Sequence, residues 1–123
     1  MPTSERDRSI LTHIISYCGD IEDTVRHFGN SFETFSSDKI YRNACAMCIL
    51  QIGELGGHLS QEFRSSHPQM PWSEIKGMRN VMAHAYGSLS IQTTWETIEG
   101  DIPALKDFCT AVLENDKINR SIP

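Results

Sequence analysis

Apolar residues at Ile10, Ile14, Tyr17 or Cys18, Ile21, Val25 and Phe28 recur three to four positions apart, the period of one helix face. They predict a long helix from about Glu5 to Phe28, closed by Gly29-Asn30. Ser31 to Ser37 reads as a loop, and Asp38 is placed to cap a second helix ahead of Ile40. That helix is expected to turn Ala44, Met47, Cys48, Leu55 and Leu59 inward and to end near Arg64. Its Gly53, Gly56 and Gly57 are costly inside a helix, which points to a close helix crossing or a break.

Pro68 and Pro71 stop that helix, and a third is expected from near Trp72 to about Tyr86, ending at Gly87-Ser88. A fourth covers about Ile91 to Glu99. Asp101-Ile102-Pro103 then restarts or kinks the chain into a last helix reaching roughly Asn115, with Asp101 as cap and Pro103 in the first turn. No strand-like alternation persists anywhere, and there is no internal repeat or low-complexity tract. The expected fold is an all-α up-and-down bundle of four to five helices, one domain spanning residues 1–123.

The third helix carries the candidate chemistry. Arg79-Asn80-Val81-Met82-Ala83-His84-Ala85-Tyr86 brings together a phosphate-holding arginine, an amide, a histidine that moves protons near neutral pH and a modifiable hydroxyl. At about 100° per residue, Ile75, Met78, Val81, Met82 and Ala85 cluster toward the core. Arg79, Asn80, Ala83 and His84 fall on the opposite side. Asn80 and His84 are neighbours four apart, and Arg79 and Tyr86 lie nearly in line. Arg79 and His84, however, diverge by about 140°, so one helix presents them poorly as a compact pair. Two copies packed through this face could gather both arginines and both histidines around one phosphate.

Composition narrows the setting. At 123 residues the chain should bury roughly two-thirds of its unfolded surface. Hydrophobic residues at 39% suit a water-soluble globular domain. The longest apolar run, Ala44 to Leu50, is far too short to span a bilayer, so no membrane partner is expected. Met1 to Arg8 is polar, and Thr12 and His13 break the next apolar stretch, so no secretory leader is expected either. The cysteines fall mostly within helical patterns, which suits a reducing cytoplasm. A net charge of -5 argues against a general coat for nucleic acid. Any RNA contact must be local, centred on Arg79 with Arg42, Arg64 and Lys76 as candidate neighbours.

The Arg-x4-His-x-Tyr spacing resembles the signature of the HEPN ribonucleases and, more narrowly, the HepT toxin branch. His67-Pro68, Pro71-Trp72, Ile75 and Gly77-Met78 lead into it in that family's order. Trp95, Ile98 and Asp101 through Leu105 follow at matching distances, and Ile52-Gly53-Glu54 with Leu59-Ser60 resembles the second long helix. The likeness is specific from about Ile40 to Leu105. It implies a HEPN-like fold and a metal-independent endoribonuclease toxin of a type VII toxin–antitoxin system, without cofactor. It also implies a homodimer with the site at the subunit interface, RNA as substrate and a nucleotidyltransferase antitoxin that AMPylates Tyr86. RNA cleavage of this kind needs a base for the ribose 2′-OH, an acid for the leaving 5′ oxygen and cationic stabilisation. His84 suits proton transfer, Arg79 stabilisation, and Asn80 orientation of His84 or of the phosphate.

Other features read as structure. Cys45-x2-Cys48 lies mid-helix among apolar neighbours with no second such pair, so buried structural cysteines are expected rather than a metal site. His13, His27, His58 and His67 show no zinc spacing. Trp72 and Trp95 are expected as core anchors. Gly53-x2-Gly56-Gly57 lacks the strand and Lys-Ser/Thr ending of a phosphate loop, and Glu54 is given only a structural or supporting role. The competing functional class is a non-catalytic helical dimer that binds a nucleotidyltransferase partner as an interaction module.

Overall fold

The computed structural model describes residues 3–84 and 90–121, with backbone alone at 81, 83, 84 and 121. Helix α1 (Glu5–Phe28) starts at Ser4, whose side chain accepts from the Asp7 N–H, and ends at Gly29. Gly29 has φ 119°, a conformation that L side chains rarely adopt, and its N–H closes on the Val25 carbonyl. Helix α3 (Lys39–His58) starts where expected, with the Asp38 carboxylate accepting from the N–H groups of Ile40 and Tyr41.

Four expectations need correction. The stretch expected as a loop contains helix α2 (Phe32–Ser37), capped by Ser31 and anchored by the fully buried Phe35. Phe32 and Phe35 are its only large apolar residues, too few to display a period. The second long helix does not run to Arg64. It ends at His58, Leu59 turns extended, and Ser60 caps a separate helix α4 (Gln61–Ser66). The inward face of α3 is also rotated from the expected one: Tyr41, Cys45, Ile49, Ile52 and Gly56 are buried, whereas Met47 is 58% exposed. The run Ala44–Leu50 is apolar all round, so periodicity could not choose a phase there.

The last correction concerns Asp101. Helix α5 (Trp72–His84) is followed by α6 (Ile91–Glu96), a π-helical turn (Thr97–Asp101) and α7 (Ile102–Ser121). Asp101 therefore lies inside a continuous helical path and caps nothing, and α7 runs well past Asn115. The Ile102 N–H reaches back five residues to the Thr97 carbonyl. A widened turn leaves room for Pro103, which has no N–H and whose ring crowds the carbonyl four residues before it.

Side-chain contacts give the directions of the helices. The Ser60 N–H and hydroxyl both donate to Asp7, joining the end of α3 to the start of α1. The Tyr41 hydroxyl donates to the Gly29 carbonyl at the opposite end, so α1 and α3 are antiparallel. Lys106 near the start of α7 pairs with Glu22 in the later half of α1. Gly53 faces Arg79 and Gly57 faces Lys76, so α5 runs against α3. The result is an all-α up-and-down bundle, with no strand among the described residues.

One core joins Leu11, Ile14 and Ile21 of α1, Ile49 and Ile52 of α3, Ile75 and Met82 of α5, and Ile102 and Leu105 of α7. Trp95 packs against Phe35 and Tyr41, while the Trp72 indole N–H donates to the His67 carbonyl. Trp95 is buried in the core as expected, whereas Trp72 is half-buried and packs against it. No helix among the described residues is long and apolar enough to cross a membrane.

Candidate active site at the crossing of α3 and α5

Three glycines bring the two helices together. A Cβ on Gly53 would lie 2.5 Å from the Arg79 backbone nitrogen, and one on Gly56 would lie 2.7 Å from Ile75 Cγ2. Neither space exists for a side chain, so the α3 backbone rests directly on α5. The glycines mark a crossing, and α3 continues through them unbroken.

That contact sets Arg79 beside the polar edge of α3. Its Nε lies 3.0 Å from Glu54 Oε2, and the other oxygen of the same carboxylate lies 3.3 Å from His58 Nε2. Arg79 Nη1 donates to Asn80 Oδ1 at 3.4 Å. Gly53, Glu54, Gly57, His58, Lys76, Arg79 and Asn80 line a recess of about 390 Å³. Arg79 and Glu54 are each a little under half exposed, so the pair contributes at most about 1 kcal/mol to stability. Its consequence is orientation. Glu54 occupies the inner nitrogen of the guanidinium, so the two terminal nitrogens, one of them donating to Asn80, point away from it. Two permanent cations, Lys76 and Arg79, line the recess with this single carboxylate.

The residues read from the sequence are only partly united here. Arg79 and Asn80 sit side by side, and Lys76 joins them. Arg42 does not: its guanidinium donates to the Phe35 and Ser36 carbonyls at the end of α2. Arg64 is on α4, and it does not line the recess. His84 is the last described residue of α5, five positions beyond Arg79, with only its backbone described; Tyr86 lies outside the described residues. Ile75 and Met82 are buried and Met78 is half-buried, as expected of the inward stripe, whose Val81 side chain and Ala85 lie outside the described residues.

Glu54 and His58 are the residues that sequence reasoning undervalued. Gly53-Glu54 and Gly57-His58 repeat a small-then-polar step four residues apart, the spacing of neighbours on one helix face. Together with a close crossing at the glycines, that repeat was the available signal.

The family model for HepT-like ribonucleases matches residues 14–112, which include α3, α5 and the recess. The chain belongs to the HepT-like ribonuclease family. It is 36% identical over 110 residues to a protein of Caldanaerobacter subterraneus subsp. tengcongensis named "Putative RNase TTE0752", covering 89% of this chain and 96% of that one. It is also 36% identical over 75 residues to "Probable ribonuclease HepT" of Thermococcus cleftensis, covering 61% of this chain and 68% of that one. No solved structure matches it.

The cysteines of this HepT-like chain are structural. The thiols of Cys18, Cys45 and Cys109 are pushed up to about 12, first by burial, so they remain protonated in the fold. Cys48 is raised for the same reason. These are packing residues, as expected for the Cys45-x2-Cys48 pair. Among the described residues, no three His, Cys, Asp or Glu side chains are grouped to hold a metal ion.

Proposed function

We propose that this HepT-like chain is an endoribonuclease toxin that cleaves RNA without a metal, through Arg79, Asn80 and His84. The single observation that carries the reading is the state of Arg79. Glu54 holds it by Nε, Gly53 supports its backbone, and its terminal nitrogens, one of them donating to Asn80 Oδ1, are the donors left to take a phosphate. The 2′-oxygen attacks phosphorus as its proton passes to a base, and the P–O5′ bond breaks as the 5′ oxygen takes a proton from an acid. Histidine at position 84 supplies proton transfer. Arg79 stabilises the charge on the phosphorane-like transition state. The products are a cyclic phosphate and a 5′-hydroxyl, and DNA is not a substrate because it lacks the 2′-OH.

The working unit in this reading is a homodimer with the Arg79 face at its interface. The angular divergence of Arg79 and His84 motivates it, and the exposed side of α3 supports it. Ile40 and Met47 are 70% and 58% exposed, and they precede Glu54 at seven-residue steps on one face. Apolar surface therefore runs up to the site, and its burial against a second copy should cover at least about 1,000 Å² in total. Control falls to Tyr86, AMPylated by a cognate nucleotidyltransferase antitoxin. The added phosphodiester carries a negative charge that can compete with RNA for Arg79. Tyr41 is no rival acceptor, since its ring is fully buried and its hydroxyl donates to Gly29.

The test uses purified protein and total RNA in chelator, with the new ends sequenced. Wild type should cut with EDTA present, whereas His84→Ala and Arg79→Ala should each lose at least about a hundredfold in rate while keeping the wild-type circular dichroism spectrum. Full activity in His84→Ala would leave the interaction-module reading standing. Sedimentation should show a dimer at micromolar concentration. Co-expression with the nucleotidyltransferase should add mass in AMP steps that map to Tyr86 and vanish in Tyr86→Phe.

A further inference from the structure

We infer that Lys76 and His58 form a subsite for the RNA phosphate one step along the strand from the one that Arg79 holds for cutting. This rests on the ribonuclease reading above and assigns a role to the part of the recess which that reading leaves unused. Lys76, Asn80 and His84 stand four residues apart along α5, a single row of helix neighbours by register. At about 1.5 Å per residue, Lys76 and position 84 are separated by about 12 Å along the axis. One phosphate cannot engage both ends of that row. A strand laid along α5 presents successive phosphates to them, with Arg79 between.

The Lys76 end is built for an anion. A Cβ on Gly57 would lie 3.3, 3.7 and 3.8 Å from Lys76 Cγ, Cδ and Cε. The lysine stem therefore lies across the bare backbone of Gly57, and the exposed residue lines the recess beside His58. His58, the next residue, is tied by Nε2 to Glu54 Oε1, and Arg79 is tied to the other oxygen of the same carboxylate. Glu54 thus acts as a positioning residue that fixes the His58 ring and the Arg79 guanidinium on either side of itself. Lys76 and Arg79 outnumber it in charge. In a chain of net charge -5 such a concentration is no by-product of a basic composition.

The experiment couples the protein to a single phosphate. The cut in an all-RNA oligonucleotide is mapped first. The phosphate one step to its 5′ or 3′ side is then replaced by an uncharged methylphosphonate. For wild type, neutralising one of the two flanking phosphates should raise KM roughly tenfold, with the change in KM rather than in kcat. Lys76→Ala and His58→Ala should show a similar rise on the fully charged strand and no further rise on the neutralised one. The slope of log KM against log salt should fall by about one in Lys76→Ala. Circular dichroism checks the fold of both variants.

Three results would overturn the subsite: KM within twofold of wild type in both variants, equal losses on charged and neutralised strands, or losses confined to kcat. Failure of wild type to cut the all-RNA strand would instead remove the ribonuclease reading, and the subsite with it.

Discussion

Asp7 sits in the first turn of α1 and is only 3% exposed. Its Oδ1 accepts from the Ser60 N–H at 2.9 Å, and its Oδ2 accepts from the Ser60 hydroxyl at 2.6 Å. That hydroxyl in turn accepts from the Phe63 N–H at 3.0 Å, so one carboxylate secures the cap of α4 and the break after α3. In the sequence Asp7 is one polar residue in a polar leader, because its partner lies 53 positions away. Asp7→Ala should cost about 1–3 kcal/mol, since the Ser60 N–H loses its buried acceptor. Urea unfolding measures this, and a loss below about half a kcal/mol would mean that solvent replaces the carboxylate. Glu54 makes the opposite case. Its pairs are exposed and worth little to the fold, yet they set the direction of Arg79.

Among the helices, the glycines separate two effects that sequence alone mixes. Replacing a helical glycine by alanine ordinarily stabilises by about 0.5–1 kcal/mol, through the entropy of the unfolded chain. Gly19 in α1 has nothing within 4 Å of a built Cβ, so Gly19→Ala should follow that rule and raise the melting temperature. Gly53→Ala should do the reverse, because its methyl would meet the Arg79 backbone at 2.5 Å. Overpacking of this kind costs about 1–3 kcal/mol and pushes α5 away from α3. The same shift separates Arg79 from Glu54, so activity should fall with stability. Thermal melts of the two variants decide the matter; equal shifts of the same sign would refute the close crossing. The cluster Gly53, Gly56 and Gly57 was readable as a crossing or a break, and only the packing of α5 chose between them.

For the whole molecule, the buried thiols tie stability to alkaline pH. Cys18, Cys45 and Cys109 move from 9.0 to about 12 on folding, and Tyr41 from 10.0 to about 12, with burial the leading cause. Above pH 9 the unfolded chain releases protons that the folded chain keeps, so the folded state binds more of them. Stability is then fully present below about pH 9 and declines as pH rises toward about 12. Denaturant midpoints at pH 7, 8 and 10.5 should be nearly level between the first two and lower at the third. A thiol reagent at pH 8 should label the native protein slowly and the unfolded chain at once. A flat midpoint with fast native labelling would show that these thiols are open to solvent.

Short-range physics made much of this protein legible in its sequence. The 3.6-residue period placed α1, the Asp38 side chain announced α3, and Pro68, Pro71 and Trp72 announced α5. Each of these depends on residues within about one helical turn. The spacing of Arg79, Asn80 and His84, with its flanking residues, was likewise enough to point to the HepT-like family that the comparisons bear out. Only the tertiary structure decided which side of α3 faces inward, because an all-apolar run has no polar side to exclude. It alone brought Glu54 and His58 of α3 to Arg79 of α5, 25 and 21 residues away in the chain. That meeting depends on two bare glycine surfaces touching another helix, and no local period encodes which helix that will be.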